Sequence, residues 1–308
     1  MYLRKTILKL FFGCCSSSLL MEWLMARAPI SANLITFLQF FFISLQGFIF
    51  TAKFGSVSPK VPLKQYGILV TLFFISTVAN NYVYVLHVPS TLHMIIRSAS
   101  SPASMLVAWY VKKRAPKPTN AVGSILISIG VALAMYGGAT IAEQNKGQFV
   151  YWCIGVAILL FTLITGAFTG LQQEKLYAKY GKNSDEMLFY THALPLPLFL
   201  GMYSQLRDIS YSLPWSIWTL IAINIVSQFY CAHSVHEFAT KETSVTVTFI
   251  LTLRKFISLL ISSVVFKNNL TYLHVIGTFF VAVGTYVYFD YFSGLKQRSV
   301  SLKDKLSS

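Results

Sequence analysis

Apolar residues run in long blocks along this chain, and polar residues collect between them. A helix crossing hydrocarbon needs about 20 mostly apolar residues. By that measure the sequence carries about ten candidate spans: roughly 7–25, 33–52, 66–86, 88–111, 120–142, 149–171, 187–206, 215–236, 243–266 and 271–292. Together they occupy about two-thirds of the chain, which leaves short connections and no room for a separate soluble domain. The pattern predicts an all-α membrane protein with ten transmembrane helices in a single domain, 1–308.

Composition narrows the class. The 308 residues are 55% hydrophobic and 11% charged, with mean hydropathy +0.60. Ordinary soluble domains carry about 25% charged residues, so a soluble enzyme is excluded. The net charge of +15 would suggest nucleic-acid binding, but the intervals between basic residues are long and apolar. No nucleic-acid partner is expected; the lipid bilayer is. With ten spans, alternate connections hold 18 basic residues on one side and 4 on the other. That asymmetry places both termini in the cytosol. The start resembles a signal peptide, with Arg4 and Lys5 before an apolar run and Ala26-Arg27-Ala28 after it, but Glu22 and Pro29 argue for a retained helix. Asn269-Leu270-Thr271 is read as a chance glycosylation triplet at the membrane edge. Cys14, Cys15, Cys153 and Cys231 show no paired spacing and read as buried thiols.

The chain also resembles itself. Thr91–Arg97 (TLHMIIR) matches Thr248–Arg254 (TFILTLR), and Gly123 and Gly130 match Gly277 and Gly284. Spans four and five thus correspond to spans nine and ten. Five helices per repeat is an odd number, so the second repeat must be inverted across the membrane. The expected units are about 1–145 and 146–295, followed by a cytosolic tail, 296–308. Inverted repeats mark secondary transporters, whose substrate site lies at the midplane. Gly123, Gly130 and Gly137 recur every seven residues and suit close helix packing. Pro102, Pro195 and Pro197 predict bends inside spans four and seven.

Three basic residues fall inside spans: Arg97, Arg254 and Lys255. A cation at a helix centre costs about 2.5–3.5 kcal/mol. Helical spacing puts His93 and Arg97 on one polar stripe with Ser90, Ser101 and Ser104, and Thr252 and Lys255 on another with Ser244, Thr248 and Ser262. Lys255 is expected to face a cavity, and Arg254 to pair with an acid or a carbonyl between helices. Glu22 is the main acid within reach, with Asp290 near the end of span ten. The surplus of positive charge points to a phosphate-bearing substrate. Asn80, Asn81, Tyr82 and Tyr84 in span three, and Phe189, Tyr190 and His192 in span seven, are candidates for reading a base. His233, His236 and Glu237 form no HExxH motif, carboxylates are few, and no glycine-rich phosphate loop occurs. No catalytic residue, metal or cofactor is expected.

Several segments carry a family likeness: Gly13–Cys15 (GCC), Asn33–Phe40 (NLITFLQF), Asn80–Tyr82 (NNY), Leu92–Ser98 (LHMIIRS), Phe189–Pro197 (FYTHALPLP) and Thr252–Phe256 (TLRKF). They spread over essentially the whole chain. The sequence resembles nucleotide-sugar transporters of the drug/metabolite transporter superfamily, in the UDP-xylose and UDP-N-acetylglucosamine branch. That resemblance implies antiport of a cytosolic UDP-sugar against lumenal UMP in the Golgi or endoplasmic reticulum. It leaves a homodimer open. Related GDP-mannose carriers hold the nucleotide with Phe-Tyr-Asn-Asn on span seven, where this chain has Phe189-Tyr190-Thr191-His192. That departure argues against guanine. Their Asn-Lys on span nine is matched here by Arg254-Lys255, which implies substrate contact. The remaining readings are a transporter of another anion, such as a sugar phosphate, and a membrane scaffold or receptor.

Overall fold

The computed structural model describes residues 2–86, 96–113, 115–137, 149–265 and 272–288. Among them the regular structure is helical throughout. Eleven α-helices follow in order: α1 (Tyr2–Arg27), α2 (Ala32–Phe50), α3 (Leu63–Tyr82), α4 (Ser100–Lys112), α5 (Pro118–Gly137), α6 (Phe149–Tyr180), α7 (Ser184–Ala193), α8 (Tyr203–Ser212), α9 (Trp215–Ala239), α10 (Ser244–Val265) and α11 (Tyr272–Tyr288). Four of them, α1, α2, α6 and α9, contain segments long and apolar enough to cross a membrane by length and composition.

Span seven is not one continuous helix. Pro195 and Pro197 withhold two backbone donors, and a 3-10 stretch, Leu196–Met202, separates α7 from α8. Residues 96–98 are helical and a turn at Ala99 divides them from α4. Pro102 lies one turn further on and cannot donate to the Ser98 carbonyl. Ser128 Oγ of α5 donates to that carbonyl at 3.0 Å instead. This is the condition under which a broken helix is tolerated inside a membrane.

Burial is inverted relative to a soluble protein. Phe12, Phe50 and Trp215 are exposed, while Ser101, Asn224 and Thr252 are fully buried. Exposed apolar side chains with polar side chains bonded to one another inside are the arrangement a lipid-facing helical bundle requires.

The most extensive packing joins α5 to α11. A Cβ on Gly123 would lie 2.7 Å from the Gly284 carbonyl oxygen, and one on Gly130 would lie 2.7 Å from that of Gly277. The backbones touch, so only glycine fits. Other contacts include α1–α9 and α3–α6, α4–α6 and α1–α10, α2–α9 and α3–α7, together with α2–α7, α4–α10, α7–α9, α5–α10 and α4–α5.

One bond was not legible in the sequence. Cys14 and Cys231 form a disulfide across α1 and α9, at a separation of 217 residues. This corrects the reading of all four cysteines as buried thiols. Cys15 is free and buried, and Cys153 is free but exposed. Spacing along the chain could not show the pair, because it depends on helices from opposite ends lying side by side.

Candidate functional site

The hydroxyl and cationic residues of α10 meet α4 along one seam. Thr248 Oγ1 lies 3.4 Å from Ser104 Oγ, and Thr252 Oγ1 lies 3.2 Å from Ser100 Oγ. One turn further, Lys255 Nζ donates to the Arg97 carbonyl at 2.9 Å and contacts Ser100 Oγ at 3.4 Å. That carbonyl lies at the helical break before Ala99, so the break supplies an acceptor and the lysine uses it. Ser244, Thr248, Thr252 and Lys255 therefore share the face that spacing predicts, although Ser101 bonds Ser124 of α5 instead, at 2.6 Å.

Arg254 turns to another helix. Its Nη1 donates to the Cys14 carbonyl at 3.1 Å and to Ser18 Oγ at 2.8 Å, both on α1. Its Nε is buried with no hydrogen-bond partner among the described residues. Neither Arg254 nor Lys255 makes an ion pair among the described residues. Glu22 sits on an exposed part of α1.

The seam is fastened at its basic end by Glu174 of α6. Its carboxylate accepts from Lys112 Nζ on α4 at 2.6 Å, and from Ser244 N–H and Oγ on α10 at 3.0 and 2.7 Å. Three helices meet on one side chain. Sequence reasoning missed Glu174, since an acid in a basic connection reads as solvated. Its place ahead of a hydroxyl at the start of α10 is visible only in three dimensions.

The proposed base readers are spread through the core. Asn80 Nδ2 donates to the Ser76 carbonyl at 2.6 Å, and its Oδ1 accepts from Thr162 at 3.1 Å. Asn81 Nδ2 donates to Asn33 Oδ1 and Thr36 Oγ1, each at 3.0 Å. Both asparagines thus tie α3 to neighbouring helices. The Tyr190 ring packs on Tyr66, with centroids 5.2 Å apart. His192 is buried against Phe40 and Phe73, with its Nδ1 2.8 Å from the Leu188 carbonyl. His93, Asp290 and the Asn269 triplet lie outside the described residues. The structure therefore brings Lys255, Thr252 and the Arg97 backbone together, sets Arg254 against α1, and disperses the others.

Polar ties also join the connections at the basic end. Lys60 Nζ donates to Asn183 Oδ1 at 3.1 Å, and Val61 N–H donates to Glu186 Oε1 at 2.9 Å. Asp185 Oδ1 lies 3.2 Å from His233 Nε2. The His233 hydrogen bond holds the Asp185 carboxyl below the usual carboxylate range, against the opposing effect of burial.

A helical bundle with exposed apolar surface, polar cross-helix bonds and, among the described residues, two cations without acid partners has the character of an integral membrane protein. The comparisons narrow this. The chain belongs to the UAA transporter family, whose profile matches residues 4–291. It is 37% identical to a UDP-xylose and UDP-N-acetylglucosamine transporter of Danio rerio, over 92% of this chain and 93% of that one. It is 36% identical to an endoplasmic reticulum GDP-fucose transporter of Drosophila melanogaster, over 92% and 88%. It is 33% identical to a UDP-N-acetylglucosamine transporter of Schizosaccharomyces pombe, over 85% and 87%. One crystal structure superposes with TM-score 0.67 at 11% identity, covering 93% of this chain and 96% of that chain, which is a likeness of fold.

Proposed function

We propose that this protein exchanges a cytosolic UDP-sugar, UDP-N-acetylglucosamine or UDP-xylose, for lumenal UMP across a Golgi or endoplasmic reticulum membrane. The observation that carries it is Lys255: a cation deep in a spanning helix, bonded only to neutral acceptors among the described residues. A buried ammonium without a carboxylate is costly, and a diphosphate offers it what the protein does not. The names of three relatives supply the substrate class. The Drosophila relative is named for a GDP-sugar at 36% identity, against 37% for the Danio rerio relative, so overall similarity does not separate uracil from guanine. The uridine reading rests on the branch resemblance and on the missing asparagines at Thr191 and His192.

An inverted five-plus-five repeat underlies this mechanism, and the packing supports it. Exchanging α1 with α6, α2 with α7, α3 with α9, α4 with α10 and α5 with α11 converts the contact α1–α9 into α3–α6 and α4–α6 into α1–α10. It also carries Gly123–Gly284 onto Gly130–Gly277, since the repeat matches Gly123 with Gly277 and Gly130 with Gly284. Such reciprocal contacts are those of a two-fold axis. The halves, with both termini cytosolic, rock about a midplane cavity, and the positively charged empty carrier crosses slowly, which enforces exchange.

The test is uptake of UDP-sugars into proteoliposomes preloaded with UMP. Lys255→Ala should abolish uptake while the protein remains monodisperse. Normal uptake by that variant would remove Lys255 from the site. Uptake of sugar phosphates but not UDP-sugars would favour the other anionic substrate class.

A further inference from the structure

A cavity lies away from the α4–α10 seam. It holds about 640 Å³ at the basic end, between α2, α7 and α9, and neither Lys255 nor Arg254 lines it. Its two sides differ in chemistry. Lys60, Lys182 and Ser184 line one side, and Ile43, Phe50, Phe229 and Tyr230 line the other. Phe50 is 69% exposed and Tyr230 61%, so the mouth opens on the outer face of the bundle, where lipid lies.

An apolar track leads away from that mouth. Ile223 and Val226 on α9 are exposed and are spaced to share a helix face with Tyr230 at the cavity mouth. The two helices run side by side in register: Gln39 Nε2 donates to Asn224 Oδ1 at 2.8 Å, and the Phe42 and Phe229 rings are 5.8 Å apart. The track therefore runs along α9, beside α2.

Charge at the water end favours an anion. Both acids lining the cavity are already engaged. Asp185 faces His233 at 3.2 Å, and Glu186 Oε1 accepts from Val61 N–H at 2.9 Å and from the Tyr66 hydroxyl at 3.4 Å. Lys182 makes no hydrogen bond or ion pair among the described residues.

We propose that this cavity holds an anionic phospholipid of the adjoining leaflet. Its phosphate sits at Lys60 and Lys182, and its acyl chains lie along the exposed face of α9. Basic residues at the bilayer surface attract anionic lipid in the same way. The site lies apart from Lys255 and the α4–α10 seam, while Phe189, a candidate base reader, also lines it.

Tryptophan quenching tests it. Full-length protein carrying Tyr230→Trp is reconstituted in symmetric phosphatidylcholine vesicles containing phosphatidylserine, with bromine on the chains of one lipid or the other. Symmetric vesicles make the result independent of orientation, and protein without the added tryptophan gives the background. Brominated phosphatidylserine should quench the added tryptophan well beyond its mole fraction. Lys182→Gln should reduce that preference about fivefold, the attraction of one basic residue for an anionic surface. UMP should leave the quenching unchanged. Equal quenching by the two lipids overturns the proposal. So does relief of quenching by UMP, which would make the cavity a nucleotide site. If Tyr230→Trp fails to fold, mass spectrometry of phosphatidylserine retained by the unmodified protein and by Lys182→Gln decides instead. Equal retention overturns the proposal.

Discussion

Two interfaces join the proposed halves of this molecule, and they are built oppositely. Between α5 and α11 the backbones touch at Gly123–Gly284 and Gly130–Gly277. Between α4 and α10 the contacts are hydroxyl to hydroxyl at 3.2–3.4 Å, ending on a lysine bonded to a carbonyl. The first interface is built on backbone-to-backbone approach at two glycine pairs, which leaves no room for an inserted group. The second consists of bonds that water or a phosphate could replace one for one. Dispersion at short range holds a fixed contact, whereas exchangeable hydrogen bonds suit a contact that opens. In a transporter both are needed: a joint that stays and a seam that parts.

The strongest way to break this contrast is to thicken the fixed joint. Gly123→Val places a Cβ 2.6 Å from the Tyr288 backbone nitrogen and 2.7 Å from the Gly284 oxygen, where only backbone could move. Overpacking costs about 1–3 kcal/mol in ordinary cores, and backbone contact takes this site to the upper end. Loss of monodisperse protein on size-exclusion chromatography is expected. A folded, active Gly123→Val variant would show that α5 and α11 do not need their close approach.

Lys255→Met should act in the opposite sense. Removing a buried cation in favour of an apolar chain of similar length is often neutral or stabilising. Thermal unfolding should stay within a few degrees of the unmodified protein, or rise, while UDP-sugar exchange disappears. A variant that unfolds early would make Lys255 a structural tie to the Arg97 carbonyl. The same seam predicts a milder result for Thr252→Val, which removes the contact with Ser100. Its stability cost should be about 0.5–1.5 kcal/mol, read by thermal denaturation, and exchange should survive at reduced rate.

The contrast also explains what could be read from the chain. The apolar blocks anticipated where nearly every helix lies, because lipid demands about 20 apolar residues wherever a helix crosses. The glycine repeat was visible because close approach admits no other residue. The stripe of Ser244, Thr248, Thr252 and Lys255 followed from helical spacing alone. The break of span seven was foreseeable from Pro195 and Pro197, yet its division into α7, a 3-10 stretch and α8 was not. The Cys14–Cys231 bond and the Glu174 junction depend on which helices become neighbours, and periodicity carries no such information. Asn80 and Asn81 illustrate the converse. Amide side chains in a membrane span can serve a ligand or a neighbouring helix equally well, and here the neighbours Ser76, Thr162, Asn33 and Thr36 take them.

Glu174 gives the smallest effect and the finest test of the seam. It joins Lys112 of α4 to the first turn of α10, and its partners differ in kind. The Lys112 pair is partly exposed, with side-chain accessibilities of 37% and 26%, and is therefore worth about 0.2–1 kcal/mol. The bonds to Ser244 satisfy a helix terminus and do not depend on a second charge. Glu174→Gln keeps an acceptor for Ser244 and loses the ion pair. Its loss in thermal stability should be small and should vanish at about 1 M salt, where the screening length falls to about 3 Å. Glu174→Ala removes both kinds of bond, and its loss should persist in salt. If the two variants respond alike to salt, the Ser244 bonds add nothing, and the junction reduces to one surface ion pair. If only the alanine variant retains its loss, the acid holds the start of α10 against α6, and parting the seam must release Ser244 as well as Lys112.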